Sequence, residues 1–162
     1  VYQNGHYGAA LLAYAPVGFA TTVAGFQTLA LAGGALAVAL ATLPDFDIRI
    51  PAVDHRGPTH TLWFAVLVGL AVAAGGFLLG QSQGATTAIA LAGFAFLVGF
   101  LSICSHIAAD ALTPMGVTPF TPFSGRHVTY DVVPAKHTVA NYALLGAGLA
   151  ASAGAFGLAQ TV

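Results

Sequence analysis

The low content of charged residues is the feature that most constrains the fold of this chain. Only 6% of its residues are Asp, Glu, Lys or Arg, while 57% are hydrophobic, whereas a soluble domain is about a quarter charged. Four Lys or Arg and five acidic residues cannot cover the surface of a water-soluble domain. The composition therefore predicts an integral membrane protein, and the length of 162 residues predicts a single domain, residues 1–162.

Long apolar stretches predict the fold class, an all-α bundle of about five transmembrane helices. A helix that crosses a membrane needs about 20 apolar residues. Five segments approach or exceed this length: about 8–26, 28–43, 60–80, 86–112 and 138–159. No basic stretch precedes the first segment, so we expect no cleavable signal peptide. The net charge of −1 gives no support for a nucleic-acid partner.

The polar residues are concentrated on one side of this predicted bundle. With five spans, the N-terminus and the loops 44–59 and 113–137 share one side, which we call the polar face. Every ionisable side chain lies on this face or at a helix end pointing to it, and the other side holds "QSQGATT" and the C-terminus. Because basic loops favour the cytoplasmic side, we expect a multi-pass inner membrane protein whose polar face is cytoplasmic.

Four motifs that could carry chemistry meet on the polar face. They are "NGHYG" with His6, "PDFD" with Asp45 and Asp47, "DHRGPTH" with His55 and His60, and "SHIAAD" with His106 and Asp110. The Gly-Pro turn of the third motif should bring its two histidines close together. In the fourth motif, histidine and aspartate are four residues apart and therefore neighbours on one helical face.

Each motif also has a purely structural explanation. His6 could be an interfacial histidine, and the aspartates of "PDFD" could end a helix through turn contacts. Thr59 could cap the third helix, which is compatible with a ligand role for its neighbours. His106 and Asp110 could be a hydrogen-bonded pair that offsets part of the cost of burial in lipid, on the order of a few kcal/mol.

Taken together, the motifs predict a metal site. Neutral imidazole and carboxylate groups suit Zn²⁺, and also Mn²⁺ or Fe²⁺. A structural zinc ion needs four ligands, and the candidates exceed that number, so we expect two or more ions, or one ion with surrounding supporting residues. Cys104 lies in an apolar run and is expected to pack rather than ligate. The candidate ligands are His6, Asp45, Asp47, His60, His106 and Asp110.

The same residue types favour hydrolysis of a phosphoester. Metal ions can hold phosphoryl oxygens and lower the pKa of a bound water to near 7, and the chain has no Gly-x-Ser-x-Gly motif that would supply a serine nucleophile. The candidate catalytic residues are Asp47, His55 and Arg56. Arg56 could hold the anionic group through its planar guanidinium, although a solvated or headgroup-bound arginine is equally consistent. His55 could ligate a metal or orient a neighbouring ligand.

The motifs resemble a known family in order and spacing. "PDFD", "HRGPTH" and "SHIAADALTPMGVTPFTP" resemble the YdjM-like membrane-bound metal-dependent hydrolases, and the similarity extends through most of the chain. More distantly, "HIAADALTPMG" is similar to a helix of the zinc-dependent phospholipases C and single-strand nucleases, all-helical enzymes with three zinc ions. The resemblance implies that His106 and Asp110 are metal ligands.

The distant resemblance also implies roles for residues nearer the N-terminus. It implies that Asp45 or Asp47 bridges two zinc ions and that His60 and His6 are further ligands. The chain departs from the soluble enzymes at Gly116, where they have another histidine, and it has no later His-x-x-x-Glu pair. We therefore expect two metal ions rather than three.

Three functions are compatible with these features. The leading hypothesis is a membrane enzyme that hydrolyses a phosphoester of a lipid or lipid-linked substrate at the bilayer interface. The alternative is a non-enzymatic membrane module that binds metal for sensing or for docking a partner through "TPFSGRHVTYDVVPAKH". A metal transporter is the least favoured, because it needs polar groups near the middle of the membrane and the polar residues here lie at one end.

Overall fold

The computed structural model describes residues 1–162 and contains five α-helices in an all-α fold, as predicted. Three short 3₁₀ helices connect or extend them: Pro44–Arg49, Pro58–His60 and Gln81–Gln83. An isolated antiparallel bridge between Val117 and Val128 is the only β contact. The α-helices are α1 (Gln3–Val23), α2 (Gln27–Leu40), α3 (Leu62–Gly80), α4 (Ala85–Ala111) and α5 (Thr138–Ala159).

Four helical segments are long and apolar enough to cross a membrane, which supports the predicted membrane bundle. They are Gln27–Arg49, Leu62–Gln83, Ala85–Ala111 and Thr138–Ala159. The first joins α2 to the 3₁₀ helix that follows it, and the second extends α3 in the same way. Helix α1 is outside this set, because its first turns carry polar side chains that dilute its apolar character.

Small residues allow the helices to pack closely in two pairs, α3 with α4 and α1 with α5. A Cβ atom at Gly148 would collide with the backbone of Gly8 across the α1–α5 contact. A Cβ atom at Gly76 would similarly collide with the backbone of Leu91 in α4. Such close backbone approach is the usual means of helix association in a membrane. Helices α1, α2 and α4 contact one another between the two pairs.

Two local expectations are wrong. Helix α1 begins at Gln3, so His6 lies inside its first turns rather than ahead of the helix. The hydropathy pattern places this end too late because the first residues of the helix, Gln3, Asn4 and His6 among them, are polar. Thr61, and not Thr59, caps α3, since its hydroxyl oxygen accepts a hydrogen bond from the backbone N–H of Phe64 at 3.2 Å.

The loop after α4 closes over the end of that helix. The backbone N–H of Tyr130 donates to the carbonyl of Ala111, and that of Val132 donates to the carbonyl of Leu112, each at 2.8 Å. These bonds satisfy carbonyls that a helix C-terminus leaves unpaired. The last turn of α4, which carries Asp110, is therefore held firmly at the polar face.

Candidate metal centre

His106 is fixed with one ring nitrogen pointing into the polar face. Its Nδ1 lies 2.7 Å from the backbone oxygen of Ala41, just after α2. A carbonyl can only accept, so Nδ1 carries the proton and donates it, which leaves Nε2 unprotonated. This is the arrangement by which metal-binding histidines are usually oriented. The side chain is fully buried, so its Nε2 lone pair has no access to bulk water.

His60 presents its Nε2 atom to the same point. Thr59 donates its hydroxyl to Asp47 Oδ2 at 2.7 Å, so its oxygen accepts from His60 Nδ1 at 3.0 Å. In the neutral ring, the Nε2 atom of His60 is consequently the nitrogen with the free lone pair, 3.1 Å from Nε2 of His106. Two facing lone pairs at this distance repel each other unless a cation lies between or beside them.

His6 contributes a third imidazole, stacked on the ring of His106 with centroids 3.7 Å apart. It is fully buried, and neither of its ring nitrogens has a hydrogen-bond partner. A buried polar atom without a partner is costly and rare in native proteins. Both nitrogens of His6 are therefore unexplained by the protein alone.

Two carboxylates complete the set of donors. Asp45 Oδ1 lies 3.5 Å from His106 Nε2, and Asp45 Oδ2 lies 3.7 Å from His6 Nε2. Asp110 Oδ1 lies 3.6 Å from His6 Nε2, and its Oδ2 lies 3.7 Å from His106 Nε2. Asp110 is buried, whereas the side chain of Asp45 is 27% exposed.

These donors form two overlapping groups with the spacing of a metal site. The inner group is His6, Asp45, His106 and Asp110, and the outer group is Asp45, His55 and His60. Tetrahedral coordination at about 2.0–2.1 Å places neighbouring donors about 3.3–3.4 Å apart. Donor separations of 3.1–3.7 Å around Nε2 of His106 match that spacing. The donors present, all nitrogen and oxygen, thus fit one or more divalent ions such as Zn²⁺.

Asp47 supports the outer group and belongs to neither group. Its Oδ1 accepts from His55 Nδ1 at 2.9 Å. Its Oδ2 accepts from the backbone N–H of Arg56 at 3.2 Å and from Thr59. The side chain is buried, and both of its oxygens are used by protein donors. The structure therefore places Asp47 where it orients two histidines, one directly and one through Thr59.

The guanidinium of Arg56 is fully engaged by protein groups on two of its three nitrogens. One terminal nitrogen donates to Thr113 Oγ1 and to the carbonyl of Gly116, each at 3.0 Å. The other lies 3.0 Å from Asp110 Oδ1, against which the amino group of Val1 also packs. The remaining nitrogen, Nε, is buried without a partner. Arg56 thus ties the α4 end to the loop that follows it.

The electrostatics at His60 also indicate a place for a cation. Burial acts to lower the pKa of His60, but the carboxylates of Asp110 and Asp45, 3.5 and 3.6 Å from its Nε2, and the charge of Asp47 outweigh it, so the pKa lies above its usual value of 6.5. The surrounding carboxylates therefore favour positive charge between the rings. In the absence of metal a proton would fill that role.

The structure brings five of the six predicted ligands together around one centre: His6, Asp45, His60, His106 and Asp110. Asp47, the sixth, lies beside His55 and His60 as a supporting residue. Cys104 is half-buried against the apolar core and belongs to neither donor group. Sequence reasoning missed the role of Thr59 and of the Ala41 carbonyl. The position of the Thr59 hydroxyl next to the predicted ligand His60 was a signal in the sequence. No sequence signal existed for the Ala41 carbonyl.

Comparison with known proteins identifies one family. The family model described as YdjM inner membrane protein matches residues 5–161, nearly the whole chain, which confirms the resemblance seen in the motifs. No curated protein and no solved structure matches. The more distant resemblance to phospholipases C and single-strand nucleases therefore stays a prediction.

Proposed function

The chain belongs to the YdjM inner membrane protein family, and we propose that it is a metal-dependent hydrolase that cleaves a phosphoester at the membrane interface. One observation carries the proposal. The Nε2 atoms of His60 and His106, whose Nδ1 atoms are both used by protein hydrogen bonds, face each other at 3.1 Å beside the unpartnered His6 and two carboxylates. Such buried nitrogen and oxygen donors are the ligands that divalent ions take in hydrolytic sites.

We assign the ligands of two positions from the overlap of the groups. His6, His106 and Asp110 would hold an inner ion, and His55 and His60 would hold an outer ion. Asp45 belongs to both groups, so of the two aspartates considered for bridging it is the one that would be shared. Zn²⁺ is the ion that suits imidazole and carboxylate best, with Mn²⁺ and Fe²⁺ as alternatives.

The residues around these positions prepare the site for hydrolysis. Bound divalent ions would supply Lewis acidity, polarising a phosphoryl oxygen and lowering the pKa of water. Asp47 fixes the ring of His55 and, through Thr59, that of His60. Arg56 holds Asp110 in place and joins it to the loop after α4. The partly exposed Asp45 leaves one side of the inner group open to a substrate.

A lipid or lipid-linked phosphate suits the position of the site. The segment that carries Asp45 and Asp47 exposes Phe46 and Ile48, and Trp63 packs near the exposed Phe123 with ring centroids 5.5 Å apart. Exposed aromatic and aliphatic side chains beside polar ones are typical of the interface between water and hydrocarbon. A headgroup phosphate at this depth would lie level with the candidate ligands.

We place the polar face in the cytoplasm. Arg49, Arg56, Arg126 and Lys136 are the four basic residues of the chain, and all belong to the segments that form this face. Basic residues in short loops favour the cytoplasmic side.

The direct test is metal content measured beside turnover in purified protein. Wild type loaded with Zn²⁺ should hydrolyse a phosphodiester in detergent or liposomes. Asp110→Asn should lower metal content and turnover together, while the exposed His127→Ala, the matched control, should change neither. Metal-loaded wild type without turnover on soluble and lipid phosphoesters would contradict the hydrolase and favour a non-enzymatic metal-binding module.

A further inference from the structure

A small cavity reaches the candidate metal centre from outside the bundle. Its volume is about 250 Å³, and its lining consists of Gln3, Thr42, Asp45, Phe46 and Arg49. Asp45 is the one member of the inner group that this cavity touches, and it is the only one with substantial exposure. The cavity therefore gives access from the outside to Asp45, at the edge of the inner group.

Arg49 stands at this cavity with its charge uncommitted. Its side chain is exposed and makes no ion pair or hydrogen bond with the protein. Its guanidinium carbon lies 5.0 Å from the centre of the Phe46 ring, a contact that holds the planar group while leaving its N–H donors free. Arg56, by contrast, has both terminal nitrogens bound to protein acceptors.

The remaining polar groups of the cavity are suited to an anion. Thr42 offers a hydroxyl that makes no hydrogen bond with another side chain, and the Gln3 amide, which donates one hydrogen to Tyr7, retains a second. These neutral donors and one free guanidinium surround a space next to a predicted bridging carboxylate. An arginine fork with flanking donors is the usual arrangement for binding phosphate oxygens.

We propose that this cavity is the phosphate-binding subsite of the metal centre, and that Arg49 rather than Arg56 recognises the phosphate. The ligand class rests on the proposed function, since a phosphoester substrate must present its phosphate beside Asp45. Arg56 then acts as a positioning residue for Asp110. The cavity donors recognise the phosphate group itself. A lipid headgroup and a soluble ester both carry this group, so the phosphate belongs to one or the other.

The test compares matched arginine variants of the zinc-loaded protein in detergent, with inorganic phosphate as the probe in calorimetry. Arg49→Gln should weaken phosphate binding about 10- to 100-fold, the range expected for loss of hydrogen bonds to a charged group. Metal content should stay unchanged, because Arg49 contacts no ligand. Arg49→Lys should fall between, because it keeps the charge and loses the fork. Arg126→Gln removes the same charge from an exposed site on the same face and should bind like wild type.

Three results would overturn the subsite: phosphate binding in Arg49→Gln equal to wild type, an equal loss in Arg126→Gln, or a loss in Arg56→Lys without one in Arg49→Gln. Phosphate binding that depends on Arg49 without any turnover would refute the hydrolase and keep the subsite. Turnover that is unaffected by Arg49→Gln would refute the subsite and keep the hydrolase.

Two substrates identify the source of the phosphate. Bis(p-nitrophenyl) phosphate is the soluble arm, and phosphatidylcholine vesicles with and without phosphatidic acid are the lipid arm. A rise in KM for both arms in Arg49→Gln supports recognition of the phosphate itself. A rise confined to the lipid arm supports recognition of a headgroup.

Discussion

The inner and outer donor groups share Asp45 but are built in different ways. The inner group draws its other ligands from helices α1 and α4, and all of these are buried. His106 is anchored to a backbone carbonyl. The outer group lies on the turns between α2 and α3, and the side chain of His55 is 36% exposed and held by a carboxylate. A site of this kind combines one rigid position with one that is more accessible.

This difference predicts different metal behaviour at the two positions. Ligands held by helices and shielded from water should bind an ion tightly and release it slowly. The outer group depends on His55, which is partly exposed and oriented by Asp47, so its ion should bind more weakly and exchange faster. Removing residues from each group in turn can therefore separate the two positions.

The largest effect is expected for His106→Ala. Loss of this ring removes a direct ligand and leaves Asp110 and His6 buried around a gap, which is costly. Metal affinity should fall by more than about 100-fold, since losing a supporting partner alone costs about 10- to 100-fold. Elemental analysis of the purified variant measures this, with the exposed His127→Ala as control. Metal content equal to wild type would show that the inner group does not bind the metal.

His55→Ala should affect the outer position alone. The expected result is loss of one of two ions with the inner ion retained. His55 is grouped with none of the inner ligands apart from Asp45, which both groups share. Zinc titration with a chromogenic chelator would resolve the two affinities. Loss of all metal would show that the two groups form one inseparable site.

Asp47→Asn should produce a smaller change at the same position. The amide keeps the size of the side chain but removes the charge that orients His55 and the Thr59–His60 pair, so outer-site affinity should drop about 10- to 100-fold. The exposed Asp131→Asn is the matched control. If Asp47→Asn abolished inner-site binding as well, Asp47 would be a direct ligand, as the sequence motif first indicated.

Acidification should weaken metal binding gradually. The pKa of His60 lies above its usual 6.5 in the metal-free protein, so the ring keeps its proton to a higher pH than a free imidazole, and that proton must leave before an ion binds. Apparent zinc affinity should therefore increase as the pH rises and His60 loses its proton, and it should decrease as the pH falls. Calorimetric titration from pH 6 to 8 in buffers of different ionisation enthalpy would detect the released protons, and pH-independent affinity would contradict the imidazole ligands.

The sequence predicts the helices of this chain better than the contacts that organise its site. The apolar runs place α3, α4 and α5 within about two residues of their observed bounds, because spanning length and apolarity set them. The start of α1 is missed because its first turn is polar, although His6 within it is buried. The ligand residues are visible as motifs because few other polar residues exist in the chain.

The supporting contacts depend on backbone positions that no motif encodes. The carbonyl of Ala41 orients His106 only because α2 ends beside α4. The sequence favours Arg56 over Arg49 as the phosphate-binding arginine, but it does not show that the Arg56 guanidinium is bound to Asp110 while that of Arg49 is free. Arg56 has a positive φ of 63°, a backbone conformation uncommon for this residue type and invisible to pattern reasoning.

We infer that imidazoles and carboxylates, without a thiolate, hold a divalent ion in this protein. X-ray absorption spectroscopy of the purified zinc-loaded protein can identify the ligand atoms. We expect nitrogen and oxygen ligands at about 2.0–2.1 Å with the outer-shell scattering of several imidazole rings. A sulfur ligand at about 2.3 Å, which would implicate Cys104, or a protein that retains no metal would contradict it.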